Sequence, residues 1–221
     1  MSKSAKIIAI CAITTILLIP FVFINYLNPI IHRLQAVENP QATKAAFVVL
    51  REYLTDFYPA LVKELPNTKI LYQQMDNGIE GYVVPAEISE SKQNIIYIND
   101  HFQKEPAVLT AIVIVHEMTH VLQFKNGSEH DCVEKEVTAF TNEAYFYAFL
   151  DTKDRNTLLY AARKFEDPVS KMTVATAQIL DKNITDCGAE NTNCWIDATK
   201  NTVRNLVLDS ETYRKNCNVT E

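Results

Sequence analysis

Residues 112–124 read IVIVHEMTHVLQF, a run apolar enough to bury itself that nevertheless carries two histidines and a glutamate. Burying ionisable groups costs free energy unless a partner compensates them. On a helix each residue advances by about 100°, so His116 and His120 lie about 40° apart and one turn along the axis. Glu117 falls about 60° around from His120, at the flank of that face, while Met118 points the opposite way. Two imidazoles on one face are what a divalent metal asks of two ligands. A carboxylate at the flank can then reach a water held there without being a ligand itself. The pattern His-Glu-x-x-His is specific when it lies inside a helix. Its plainer alternative is a pair of core histidines satisfied by hydrogen bonds.

Working outward, Pro106 opens this helix and Asn126-Gly127 closes it. Helical patterns follow over about 131–150, 153–165 and 168–182, then a loop over 187–194 and a last helix over about 195–216. On the N-terminal side an amphipathic helix over 43–57 is closed by Pro59. The period then shortens. KILYQQM (69–75) and IEGYVVP (79–85) flank Asp76-Asn77-Gly78, a hairpin signal. NIIYIN (94–99), rich in β-branched residues, reads as a third strand. The expected fold class is α+β, with a small antiparallel sheet of about three strands packed on a helical core.

Of the 221 residues, 48% are hydrophobic and 22% charged, a globular balance, and the net charge is −6. No basic face recommends a nucleic-acid partner. With four glycines and no Gly-rich fingerprint, nucleotide binding is not indicated either. Residues 7–27, IIAICAITTILLIPFVFINYL, carry no charge and are long enough to cross a membrane. A cleaved signal peptide would have a shorter apolar run and a small-residue cleavage site. The expected organisation is therefore a short cytoplasmic N-terminus (1–6), a transmembrane anchor (7–27), a juxtamembrane linker (28–42) and one globular domain (43–221).

Beyond the anchor stand Cys132, Cys187, Cys194 and Cys217, an even number compatible with two disulfides and an oxidising, extracytoplasmic compartment. Three connectivities are open to four cysteines. The expected one joins Cys187 to Cys194 and Cys132 to Cys217.

A catalytic zinc normally has three protein ligands and one open position, so a third must come from outside the quoted helix. The metzincin pattern would place Gly at 123 and His at 126, where this chain has Gln123 and Asn126. The following helix carries DCVEKEVTAFTNEAYFY (131–147). With Glu136-Val137-Thr138-Ala139 on that helix, the chain resembles the compact gluzincins, zinc peptidases whose third ligand is the glutamate of a Glu-x-x-Ala motif. The resemblance spans roughly 94–147. It implies zinc held by His116, His120 and Glu136, with Ala139 letting the two helices pack closely. It also implies that the strand before the active-site helix, here NIIYIN, pairs with an extended substrate.

Glu143, seven residues after Glu136, lies on nearly the same helical face. It is the rival ligand, or an acceptor that holds a histidine ring. Glu134 points away, His130 and Asp131 sit at the helix start, and Asp131 reads as an N-cap. Gln123 faces the metal side of its helix as a hydrogen-bonding group.

The implied function is a membrane-anchored zinc metallopeptidase acting on peptides or proteins, with Glu117 as general base towards a metal-activated water. For the donor that stabilises the oxyanion, Tyr145, Tyr147, Arg163 and Tyr213 all remain open. The competing function is a non-catalytic, zinc-stabilised extracytoplasmic binding domain.

Overall fold

The computed structural model describes residues 36–75, 79–128, 131–165 and 168–219. The segments 1–6 and 7–27, most of the linker 28–42, the turn residues Asp76-Asn77-Gly78 and His130 lie outside the described residues.

Helix α1 (Pro40–Leu54) starts where Pro40 occupies the first turn and the Asn39 side chain accepts a hydrogen bond from the Ala42 amide. It buries Ala46, Leu50 and Leu54, spaced by four. Pro59 does not merely follow this helix. It opens a second, short one, α2 (Pro59–Glu64), because proline fits the first helical position. The sheet comes next: β1 (Thr68–Gln73), β2 (Gly81–Val84) and β3 (Asn94–Asn99). Among the described residues six further helices complete an α+β fold. They are α3 (Ala107–Lys125), α4 (Cys132–Phe149), α5 (Thr152–Ala162), α6 (Pro168–Cys187), α7 (Thr192–Asp209) and α8 (Glu211–Asn216).

The sheet departs from the expected hairpin. Its order is β1-β3-β2, with β1 parallel to β3 and β2 antiparallel to it, so the sheet is mixed rather than antiparallel. The reason lies in burial. NIIYIN is the more apolar six-residue strand, and taking the centre covers both its edges; β2, four residues and half-exposed, is left at the rim. NIIYIN is therefore paired on both sides and has no edge to offer a substrate. The free edge near the histidines belongs to β2. On the other rim, Val37 forms an isolated antiparallel bridge with Tyr72 of β1.

Ile70, Tyr72, Ile96 and Ile98 are buried on one face of the sheet, and α3 packs beneath it. Helix α3 is apolar almost all round and buried from Val108 to Thr119. It is long and apolar enough to cross a membrane, yet it lies mostly inside the protein, as the central helix of the main core. Helices α4 and α1 pack against it. A smaller cluster under α4 (Val137, Phe140, Met172, Val203, Val207 and Tyr213) joins α4, α6, α7 and α8.

The last helical stretch breaks at Ser210, whose φ of −76° and ψ of 116° are extended, and α8 turns off as a separate element. Cys132, the first residue of α4, is bonded to Cys217 just beyond α8. Cys187 is bonded to Cys194 across the α6–α7 connection. Both bonds are those of the expected connectivity, one of the three open to the sequence.

Candidate metal centre

The two histidines come from the middle of α3 and the glutamate from the second turn of α4. Asp131 caps α4 by accepting from the Glu134 amide at 2.8 Å, so Glu136 sits one turn past the helix start. Nε2 of His116 lies 3.3 Å from one Glu136 carboxylate oxygen, and Nε2 of His120 lies 3.5 Å from the other. One donor atom from each of His116, His120 and Glu136 falls within 4.8 Å of the other two, a group that could hold a metal ion.

The far side of each imidazole is occupied by an acceptor. His116 Nδ1 is 2.7 Å from a Glu143 oxygen, whose second oxygen accepts from the Thr173 hydroxyl at 2.9 Å. His120 Nδ1 is 2.8 Å from the Gln123 side-chain carbonyl, and the Gln123 amide donates to the Lys135 carbonyl at 3.1 Å. An acceptor at Nδ1 keeps a proton there and turns Nε2 towards Glu136. Both rings thus leave Nε2 as the atom that binds a metal, His116 once the proton it shares with Glu136 is displaced. Glu143 is 2% exposed and saturated by His116 and Thr173, so it holds a ring rather than joining the group. Glu134 turns away and pairs with Arg204.

The electrostatics point the same way. Burial opposes charge on His116, yet its contacts with Glu136 and Glu143 outweigh burial and hold its pKa well above the ordinary imidazole value. His120 is pushed down by burial and by the neighbouring His116 charge. Burial tends to raise Glu136, but the contact with His116 wins and keeps its carboxyl below the usual range. The cluster therefore gathers a positive charge between its donors, the place a cation would take by displacing a proton.

Glu117 flanks the group, 6% exposed, and burial pushes its pKa up to about 7 against the pull of His116. What faces it is Gly81 of β2. A Cβ there would come within 2.8 Å of Glu117 Oε1 and 3.0 Å of its Cγ, so only glycine lets the strand approach the carboxylate this closely. One of the chain's four glycines, set inside a strand pattern, was the signal for this contact.

A stability consequence follows for the metal-free protein. Between the ordinary carboxyl pKa of 4.5 and about 7, folded Glu117 keeps a proton that the unfolded chain has released. Stability therefore falls as pH rises through that window and stays lower above it, by about 3 kcal/mol. Glu117→Gln removes this loss. Urea unfolding of the two metal-free proteins should give similar stabilities near pH 4 and a clear advantage to the variant at pH 8. A gap that does not widen with pH would contradict the assignment.

Of the four candidate oxyanion donors, only Tyr213 of α8 reaches the site. Tyr145 stands edge-on to Trp195 at 5.9 Å, Tyr147 donates to Asp181 at 2.9 Å, and Arg163 ends α5. Tyr213, 6% exposed, packs edge-on against Phe140 at 5.2 Å, and Phe140 in turn meets the His116 ring at 4.7 Å. Burial, reinforced by Glu136, Glu143, Glu117 and Glu80, raises its pKa well above the usual phenol value, so it stays a donor. The Ser210 break and the Cys132–Cys217 bond put it there. Using that bond as a constraint on the sequence would have singled it out.

These groups share one cleft. Its floor is the α3 stripe Val113, His116, Glu117, His120 and Phe124; β2, the start of α4 and α8 form its walls. No family model, curated protein or solved structure matches the chain.

Proposed function

We propose that the protein is a zinc-dependent peptidase of the compact gluzincin type. In this proposal residues 7–27 hold it at a membrane and the domain works outside the cytoplasm. The observation that carries the chemistry is the convergence of His116, His120 and Glu136 with Glu117 beside them at the floor of an open cleft. Two imidazole nitrogens and a carboxylate oxygen are a donor set that suits zinc. Structural zinc sites usually close with four protein ligands, whereas three ligands among the described residues and a buried base beside them favour catalysis over a zinc-stabilised binding domain. The two disulfides are in keeping with an oxidising compartment.

His116, His120 and Glu136 would hold the zinc, which would supply Lewis acidity towards a water and a substrate carbonyl. The chain's own groups do the rest. Glu143 and Gln123 keep both imidazoles oriented. Glu117 takes the proton of the attacking water and passes it to the leaving amine. Tyr213 donates to the oxyanion as the carbonyl carbon becomes tetrahedral. The substrate backbone has a place to pair. Glu80 accepts from the Asn99 amide at 2.8 Å, so by antiparallel alternation Tyr82 and Val84 bond to β3. Gly81 and Val83 then turn their amides and carbonyls outward along the free edge, where an extended peptide can add as a strand.

The test is cleavage of an unstructured polypeptide by the detergent-solubilised full chain with one equivalent of zinc. No cleavage by the zinc-loaded protein would reject the proposal. In the same assay Tyr213→Phe should lower kcat by about 10²–10³-fold while metal content holds. An unchanged kcat would assign the oxyanion donor elsewhere.

A further inference from the structure

The cleft is rich in carboxylates, yet at one end it holds a cation with no counterion among the described residues. Glu80, Glu117, Glu136 and Glu143 all line it, and among the described residues Lys135 is its sole lysine or arginine. Lys135 belongs to the first turns of α4, next to Glu136. Its ammonium lies over the Phe124 ring, 5.9 Å from the centroid. No carboxylate among the described residues comes within ion-pairing distance of it; Glu134, one residue back, is taken by Arg204. Phe124 itself is 46% exposed at the C-terminal end of α3. Cys132 and Asn216 complete this end of the cleft, and the N-terminus of the 18-residue helix α4 adds its positive end there.

A lysine that lines a cleft without a carboxylate partner among the described residues is available to an anion from outside. A ring beside it offers an apolar surface for the side chain that accompanies that anion. We propose that Lys135 and Phe124 form a carboxylate-recognition subsite, which selects peptides carrying a carboxylate close to the scissile bond. Phe124 follows His120 by four residues, one helical turn, or about 6 Å along the axis. An extended chain covers that distance in about two residues. The carboxylate is therefore a C-terminus, or an Asp or Glu side chain, within about two residues of the bond that is cut. Phe124 favours a large apolar side chain next to it. This selectivity rests on the peptidase proposal, but its binding step can be measured without turnover.

The experiment uses zinc-loaded full-length Glu117→Gln protein and dissociation constants for matched peptides. One pair differs in a C-terminal acid against its amide; a second pair, amidated at the end, differs in Asp against Asn two residues from the cleavage point. A charge-assisted contact should make the acid of one pair bind about 10–100-fold tighter. That ratio should collapse towards one in Lys135→Met and invert in Lys135→Glu, with zinc content unchanged in both. The pair that responds identifies the source of the carboxylate. Equal binding within both pairs, or a preference that survives Lys135→Glu, overturns the subsite. If the preference follows Lys135 while the parent protein cleaves nothing, the subsite stands and the peptidase proposal falls; cleavage without any preference does the reverse.

Discussion

Glu117→Gln is expected to abolish peptide hydrolysis, by about 10³-fold or more, while the protein still binds one metal ion. Glutamine keeps the shape and one hydrogen-bonding oxygen but cannot accept and return a proton, and general base catalysis is worth about 10²–10⁴-fold. The substitution is gentle to the fold. The side chain is buried against Gly81 without a cation dedicated to it, so removing its charge relieves rather than orphans a neighbour. Glu117 does not belong to the group of donors within 4.8 Å, so metal stoichiometry should stay near one. Metal analysis beside the peptide assay separates the two roles. Retained activity would remove Glu117 from the chemistry, and lost metal would make it a ligand.

Glu136→Ala should act at the other level and strip the metal. It removes one of three donors and leaves two imidazoles, which at the affinities typical of protein zinc sites should cost about 10³-fold in binding. Glu143→Gln should cost only about 10–100-fold, because it changes the group that orients His116 rather than a ligand. The order of the two variants in a competition titration with a chromogenic chelator is the decisive quantity. If Glu143→Gln proved the more damaging, the carboxylates would have exchanged roles. Unequal packing supports the order given: the Glu136 oxygens face both Nε2 atoms, whereas both Glu143 oxygens are already engaged by His116 and Thr173.

The parts of the site that follow local periodicity could be read from the chain. His116, Glu117 and His120 are fixed relative to one another by a single helix, and Glu136 and Glu143 by the next. The caps at Asp131 and Gly127, the latter at φ 59°, are equally local. Strand pairing is not. KILYQQM and IEGYVVP look like adjacent strands because the residues between them suit a tight turn. The actual partner of each is NIIYIN, which needs both its edges covered. That choice depends on which strand gains most from burial, a comparison among segments far apart in sequence. The same kind of information was needed to find Tyr213. A continuous helical pattern over 195–216 conceals the break at Ser210, and only the tertiary arrangement shows α8 turning towards α4.

The bond between Cys132 and Cys217 joins positions 85 apart in sequence, and one of its ends lies a single turn ahead of Glu136. Beyond the bond, α8 is a two-turn segment seated chiefly by the Tyr213 ring in a small apolar cluster. Material made in a thiol-rich host would have its metal ligands in place on α3 and α4 but a loosened terminal segment. On the peptidase proposal it would bind metal normally and turn over poorly. An inert preparation of that kind would report the oxidation state of two sulfurs, and exporting the chain to an oxidising compartment during production is the remedy the architecture prescribes.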